Sequence, residues 1–386
     1  MHWLNYRIIM NVLFISHDAV AYGAPKSMVN IIDGLQQDIN FVVLLPYKGN
    51  IINELEKRDI QYYTSRYFWD VYSLDSLKDF IMLPIRLMRH YFSFFKTIKL
   101  ISRLHKIHKF DVIHSNSGVI RIGFFAAKFL KIPHLWHIRE FQTKDYNLNI
   151  LFGRKYFIKL LKRSEKIICV SESIQKYFEL KNASVIYNGV MPRSLDEINL
   201  DKENYFIFAA SLLPKKGVYD VLSAFISFSK INKDIELVIC GTGNDENTKK
   251  IKDIIKDAGL EKRIKLLGYR SDVLELLKKA KACIVASHHE AFGRITAEAM
   301  LVGCPVIGKA SEGTLEILQN DTYGLLYSTE EELIDCMAFM GSSKNTDAVK
   351  SKIIEAKKRA DIAFTQEQLC ENIQVLYKNL LKNHIS

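Results

Sequence analysis

The segment Glu290-Ala-Phe-Gly-Arg-Ile-Thr-Ala-Glu298 concentrates groups that could do chemistry. An apolar run at 282–287 that reads as a strand precedes it, and residues 294–301 carry a helical pattern. A helix that begins just past a strand end offers unpaired N–H groups and a positive dipole end to an anion. Gly293 lets backbone approach a phosphate closely. Arg294 falls in the first turn, and Glu298 four residues on shares its face. A carboxylate there suits hydroxyls better than phosphate, which makes a ribose diol its natural partner. Glu290, in the loop ahead, would meet the other end of such a ligand. The same pattern also fits an ordinary surface helix whose glutamates cap and solubilise it. His137, closing the run Leu135-Trp-His, is by residue type more often structural than catalytic.

These groups must be positioned by a framework, and its rhythm is legible. Short β-branched runs alternate with longer amphipathic stretches, the pattern of a parallel sheet wrapped by helices. In the first half strands are predicted at 12–16, 41–45, 112–115, 134–137, 166–170 and 184–187, with helices at 26–35, 120–129 and 171–179. The pattern restarts with strands at 206–210, 236–240, 264–267, 282–287 and 305–308 and helices at 218–231, 247–258 and 272–279. Residues 190–204 between the halves are polar and weakly periodic, a linker. The expected fold is α/β, with two Rossmann-like domains facing each other across a cleft that would hold the ligand. The N-terminal domain should span 1–190, with a C-terminal helix at about 364–386 packing back on it, and the second domain 191–363.

The chain has 386 residues, 48% of them apolar and 25% charged, enough for two cores and with no sign of a disordered tract. No run approaches the roughly 18–20 apolar residues of a spanning helix. Residues 1–9 are too short and polar for a signal peptide and read as a dispensable leader. The six cysteines form no CxxC pair and several sit in apolar runs, so they read as reduced thiols of a cytoplasmic protein. A net charge of +11 points to anionic partners.

Residues 83–110 break the rhythm, with seven Lys or Arg and no acid. On a helix, Arg89, Lys96, Lys99, Arg103 and Lys106 share one face, and Leu87, Tyr91, Phe94, Phe95, Ile98 and Ile101 gather opposite. Such a helix either docks on the sheet with its basic side in solvent or attaches to an anionic membrane surface. A nucleic-acid groove fits less well, because the aromatics oppose the basic face rather than interleave with it.

Several chemistries lack their motif. There is no Asp-x-Asp pair to hold a donor through a metal, no HExxH-type ligand set and no GxSxG elbow. His288 and His289 are adjacent and would point apart, so no metal site is expected.

The glutamate pair, followed by Ala-Met-Leu-Val-Gly-Cys-Pro-Val-Ile-Gly, resembles the signature of the retaining GT-B glycosyltransferases of family 4. Further pieces follow in that family's order. They are Asn11-Val-Leu-Phe-Ile-Ser-His, Tyr22-Gly-Ala24, Asp111-Val-Ile-His-Ser, Trp136-His137, Val170-Ser171 and Tyr187-Asn-Gly-Val190, then Leu212-Leu-Pro-Lys-Lys-Gly217, Gly241-Thr-Gly243, Gly268-Tyr-Arg and Glu312-Gly-Thr-Leu-Glu316. The match is best over 205–327 and loosest over 50–110.

The resemblance implies a transferase (EC 2.4 class) that uses a nucleotide-diphosphate sugar, UDP-linked by preference and GDP-linked otherwise, with no cofactor. Glu298 would bind the ribose, Glu290 the sugar hydroxyls, and the main chain of Ala291, Phe292 and Gly293 would fix the sugar. Arg294 and Ile295 would lie at the diphosphate, and Gly23, Gly241 and Tyr269 would line the donor site. Lys216, with Lys215 beside it, would neutralise the departing phosphate. His137 would contact the sugar near the reacting carbon, giving His137, Glu290 and Lys216 as the catalytic set. Ala24, Lys26, Arg139 and Glu140 would face the acceptor. The family's arginine five residues before the lysine is here Ser211, so either Arg294 or Lys215 would supply that charge, or the enzyme would be slow or unusual in its donor.

The implied reaction is front-face transfer with retention, the departing phosphate taking the acceptor's proton; double displacement through an enzyme nucleophile is the alternative. The acceptor would be a saccharide or lipid-linked saccharide, as in bacterial capsule, O-antigen or exopolysaccharide assembly. The protein would be cytoplasmic, held peripherally at the inner face of the cell membrane through 83–110. A nucleotide-sugar epimerase of similar fold and a basic nucleic-acid-binding protein are the competing readings. The first is at odds with the glutamate spacing. The second lacks a recognisable module, and no nucleic-acid partner is expected.

Overall fold

The short aliphatic runs become parallel strands buried on both faces. The protein is described by a computed structural model covering residues 10–73, 77–146, 148–194 and 197–385; the leader at 1–9 lies outside the described residues. The chain divides into two compact units, one running to Gly189 and resuming at Gln366, the other Val190–Thr365.

In the first unit the strands are β1 (Met10–Ile15), β2 (Ile39–Leu45), β3 (Gln61–Thr64), β4 (Val71–Tyr72), β5 (Val112–Ser115), β6 (His134–Ile138), β7 (Asn149–Ile150), β8 (Lys166–Cys169) and β9 (Ser184–Val185). Seven form a parallel sheet in the order β3-β2-β1-β5-β6-β8-β9, and β4 and β7 pair antiparallel beside it. Val12, Leu13, Phe14 and Ile15 are all fully buried, which only a sheet covered on both sides requires. One cover is made by the helices Gly23–Leu35 and Gln366–Ile385, whose Met28, Ile31, Ile32, Leu369, Ile373 and Leu376 share a core with β1 and β2. Burying each such side chain stabilises the unit by about 1.5–3 kcal/mol.

The second unit is a parallel sheet of β10 (Glu203–Ala209), β11 (Glu236–Cys240), β12 (Ile264–Gly268), β13 (Ala280–Val285), β14 (Val306–Lys309) and β15 (Leu325–Tyr327), in the order β12-β11-β10-β13-β14-β15. Helices Val218–Ile231 and Glu330–Gly341 cover one face through Val221, Phe225, Phe228, Leu333 and Met337. The linker is pinned to this unit. Lys202 Nζ donates to the carbonyls of Lys278 (2.7 Å) and Gly303 (2.8 Å), and Val190 N–H donates to the Phe364 carbonyl.

The strand order in each unit reverses once, between β1 and β5 and between β10 and β13. At such a switch point the loops leaving the two strands diverge and open a crevice at their C-terminal ends. The loops so placed carry His17 and Asn116 in the first unit, and Lys216 and Glu290 in the second.

One expectation needs correction. The long helix runs Leu77–His108, and its apolar and basic residues are not divided between a covered and a solvated face. Its C-terminal half docks through buried Thr97, Ile101 and Leu104, and its N-terminal half touches the unit more sparsely, chiefly where His90 Nε2 lies 3.3 Å from Asp70. Over the N-terminal half Leu87, Tyr91, Phe92, Met88 and Phe95 are exposed, Phe92 by 67%. The outward crest is therefore apolar first and basic later, at Lys96, Lys99, Arg103 and Lys106. The sequence shows both faces of a helix but not which one the rest of the chain covers.

Three histidines are enclosed in the first sheet. His114 Nδ1 and Tyr377 OH lie 2.6 Å apart, His134 Nε2 and Ser115 Oγ 2.9 Å apart, and His114 and His137 stack at 5.5 Å between ring centroids. Burial lowers His134 to about 3 and His114 and His137 well below the usual histidine value; in the loop after β1 it lowers His17 to about 4. The folded form thus binds fewer protons than the unfolded chain below about pH 6.5. Stability of the first unit should be undiminished above that pH and should fall as pH drops towards 4. The limiting slope is about 1.4 kcal/mol per pH unit for each excluded proton. Urea titrations followed by tryptophan emission across this range check the slope, and His134→Gln should flatten it.

Candidate active site

In the second unit the polypeptide crowds at the switch point. Gly217 has φ +78°, and a Cβ there would lie 2.1 Å from the Ala286 carbonyl oxygen. His288 N–H donates to the Lys215 carbonyl at 3.0 Å, so the Pro214–Lys216 turn is stitched to the loop after β13. That stitching places Lys216 Nζ 3.0 Å from Glu290 Oε2, both side chains partly buried. The Glu290 carbonyl accepts from Gly313 N–H at 2.8 Å, which holds the glutamate's backbone as well.

Gly293 (φ +93°) caps the helix Arg294–Leu301, a conformation that costs other residues strain. Within this helix Arg294 Nη2 donates to Glu298 Oε1 at 3.3 Å. Arg294 Nη1, Thr296 Oγ1 and, in the next helix, Thr314 Oγ1 are buried with no partner among the described residues. A buried polar atom left unpaired costs about 1–3 kcal/mol, and two in the first turn of one helix, with a third in the next helix, mark a place where a ligand completes the hydrogen bonding. Phe292 is buried against Phe364, whereas Ala291 and Ile295 are half-buried.

The other second-unit residues expected at a donor site lie after neighbouring strands. Gly241 follows β11, where a Cβ would meet the Ala210 carbonyl oxygen at 1.8 Å, and its N–H donates to the Gly268 carbonyl at 2.8 Å. Tyr269 comes next along the chain and is 78% exposed. Lys215 and Ser211 are exposed in the loop after β10.

In the first unit Arg139 is the hub at the strand ends. Its Nε donates to Asn116 Oδ1 (3.1 Å), its Nη1 to Ser27 Oγ (3.0 Å) and to Asn188 Oδ1, and its Nη2 to His137 Nδ1 (3.1 Å). A guanidinium can only donate, so Nδ1 of His137 accepts and Nε2 carries the proton. That Nε2 is buried without a partner among the described residues, and the ring is held neutral by burial and then by the Arg139 charge. The result is a fixed, neutral hydrogen-bond donor. Glu140 Oε1 accepts from Ser117 Oγ (2.8 Å) and Gly118 N–H (2.6 Å), shaping the loop after β5. Gly23 opens the first helix with φ +61°, Ala24 gives its carbonyl to Asn116 Nδ2 (2.9 Å), and Lys26 is exposed one turn on.

Asn116, Asn188 and His17 were not singled out from the sequence. Asn116 and Asn188 anchor Arg139, and their signal is slight, a polar residue directly after a strand or in an Asn-Gly turn. His17 follows β1 and has a buried Nδ1 with no partner among the described residues. Its position, at the first strand's end, is the cue that was available.

The chain resembles known proteins over nearly its whole length. The family described as "Glycosyl transferases group 1" matches residues 192–352, and "Glycosyltransferase Family 4" matches 47–193. An uncharacterized glycosyltransferase of Methanocaldococcus jannaschii is 27% identical over 363 residues, covering 88% of this chain and 97% of its own. The Escherichia coli UDP-Gal:alpha-D-GlcNAc-diphosphoundecaprenol alpha-1,3-galactosyltransferase is 27% identical over 324 residues, covering 75% and 82%. Among solved structures, Anabaena HepE in complex with UDP superposes with a TM-score of 0.76 at 19% identity, covering 96% of this chain and all (100%) of that one. The chain belongs to the family 4 glycosyltransferases of the GT-B fold class.

Proposed function

We propose that the protein transfers a sugar from a nucleotide-diphosphate donor, UDP-linked by preference, to a saccharide or lipid-linked saccharide with retention of configuration. The observation that carries this is the Lys216–Glu290 pair beside the unsatisfied start of the Arg294–Leu301 helix. Each partner holds the other in place until a donor arrives. The diphosphate then takes Lys216, and Glu290 is released to the sugar hydroxyls. Glu298 accepts from the ribose diol, and Arg294 and the N–H groups after Gly293 meet the phosphates. Ala291, Phe292 and Ile295 shape this pocket, and Gly241 and Tyr269 border the nucleotide.

As the glycosidic bond breaks, negative charge builds on the leaving phosphate, and a positioned lysine and a helix N-terminus stabilise it without reorganising. The phosphate oxygen accepts the acceptor's proton, so no side chain need serve as a strong base. His137 donates from Nε2 to the sugar near the reacting carbon. Arg139 and Glu140 act on the acceptor side by holding His137 and the 116–118 loop, and Gly23, Ala24 and Lys26 line that side. In this reading the second unit binds the donor and the first the acceptor.

We place the protein in the cytoplasm, serving surface-polysaccharide assembly at the inner face of the membrane. Among the described residues no helix is long and apolar enough to cross a membrane. The exposed apolar crest of the long helix, followed by its basic turns, suits attachment to an anionic surface instead. Among the solved relatives, HepE was determined with UDP, which agrees with the donor preference.

Glu298→Ala should weaken binding of UDP by about 1–3 kcal/mol, whereas Glu290→Ala should spare UDP and abolish only the extra affinity of the full donor. Calorimetry with UDP and a panel of UDP-sugars distinguishes these, and equal losses in both variants would contradict the division of roles. Lys216→Ala should lower kcat by about 10²–10³ with a smaller change in KM. Proton NMR of the product's anomeric signal checks retention. Replacing Ile85, Met88 and Phe92 together by Ser should reduce flotation with phosphatidylglycerol vesicles; unchanged flotation removes the membrane assignment.

A further inference from the structure

Three concavities flank the long helix within the first unit, and their chemistry changes from one to the next. The first, of about 980 Å3, is walled by Tyr47, Tyr67, Trp69 and Tyr72 with Asp18 and Asp70 among them. Trp69 is held by its Nε1–H donating to the His17 carbonyl at 2.8 Å. Asp70 is buried, accepting from Arg121 N–H at 2.6 Å and lying 3.3 Å from His90 Nε2. Aromatic faces interleaved with fixed carboxylates match a sugar ring, whose C–H face stacks while its hydroxyls donate.

The second concavity, of about 460 Å3, shares Thr64, Ser65 and Arg66 with the first and adds Lys96, Lys99 and Arg103, with no carboxylate in its wall. Arg66 and Arg89 both lie 5.5 Å from the centroid of Phe68. Among the described residues none of these five cations has a carboxylate partner. Elsewhere the chain pairs its surface charges freely, as in Lys57–Glu54 and Lys358–Glu355. Like charges gathered this closely repel one another unless an anion is present. The third, of about 410 Å3, is an apolar groove of Phe94, Phe95, Ile98, Phe125 and Phe129, with Phe129 68% exposed. Lys99 lines both the second and the third.

We propose that these three compartments form one acceptor site for a saccharide joined through phosphate to a hydrocarbon chain. The saccharide occupies the aromatic pocket, the phosphate lies among Arg66, Lys96, Lys99 and Arg103, and the start of the chain lies against Phe95 and Phe129. The shared walls, Arg66 first and Lys99 second, put the three in the covalent order of such a molecule. A second copy of this chain would bring the five unpaired cations against their like. A nucleic acid would need aromatics interleaved with the cations, which here stand in separate walls. The assignment deepens the transferase reading and rests on it for the identity of the acceptor.

Titration calorimetry with farnesyl diphosphate, inorganic pyrophosphate and farnesol tests it on the full chain, with UDP titrated in parallel. Farnesyl diphosphate should bind at least tenfold more tightly than either pyrophosphate or farnesol. The double variant Lys96→Gln, Arg103→Gln should lose at least tenfold in affinity for farnesyl diphosphate, and Arg66→Ala likewise, with Arg66→Lys restoring part. Phe129→Ser should weaken farnesyl diphosphate but leave pyrophosphate unchanged. UDP affinity should stay at the wild-type value in each variant, which also reports that the chain is folded. Equal affinity for pyrophosphate and farnesyl diphosphate would reduce the site to a free-phosphate site and overturn the proposal, as would variants that bind like wild type. Failure of the wild type to bind UDP would instead sink the transferase reading, while farnesyl diphosphate binding would still judge the acceptor site.

Discussion

The second unit's chemistry depends on one close approach of backbone to backbone. Gly217 lies against the Ala286 carbonyl, and the His288–Lys215 hydrogen bond closes the same seam. Any side chain at 217 would clash with main chain and would be strained at that φ as well. The seam sets the distance between the turn carrying Lys216 and the loop carrying Glu290. Those groups come from strands separated in sequence by two intervening strands but adjacent in the sheet. The charge pair is thus a property of sheet order before it is one of side chains.

The first unit solves its positioning problem differently. A charged side chain, Arg139, is buried at a strand end, and burial of an unpaired guanidinium would be costly. Its donors are spent on Asn116, Ser27, Asn188 and His137, which draw together the ends of β5 and β6, the first helix and the turn after β9. The price of burying the charge is recovered as rigidity around an imidazole whose tautomer is thereby assigned. Where the second unit uses glycine and close backbone packing, the first uses a polar network.

Much of this was legible in the residues. Helices 218–231 and 294–301 have the bounds that periodicity indicated, because an apolar stripe and a glycine at the start specify them locally. Strand positions followed from β-branched runs, with ends differing by at most three residues. The strand, loop and helix that carry Glu290, Gly293 and Glu298 were legible through motif order, since glycines and acids at fixed spacing keep their meaning without tertiary context. Around residues 61–72 neither the strands β3 and β4 nor the aromatic pocket was foreseen. A run such as Tyr67-Phe-Trp-Asp-Val-Tyr has no period, and its role is set by the helix that folds over it. The long helix failed for a related reason: its pattern showed two kinds of surface, and only tertiary packing decides which is covered.

The discontinuity of the first unit has a consequence for biosynthesis. Its sheet and first helix are complete by Gly189, yet the face of that helix is covered by Leu369, Ile373, Leu376 and Tyr377, which are made only after the whole of Val190–Thr365. Emerging chains fold domain by domain from the N-terminus. Here the first unit waits with an uncovered apolar face while all of the second unit is made. The order of completion is therefore the reverse of the order of synthesis: the second unit closes first, and the helix Gln366–Ile385, seating Tyr377 on His114, then finishes the first unit.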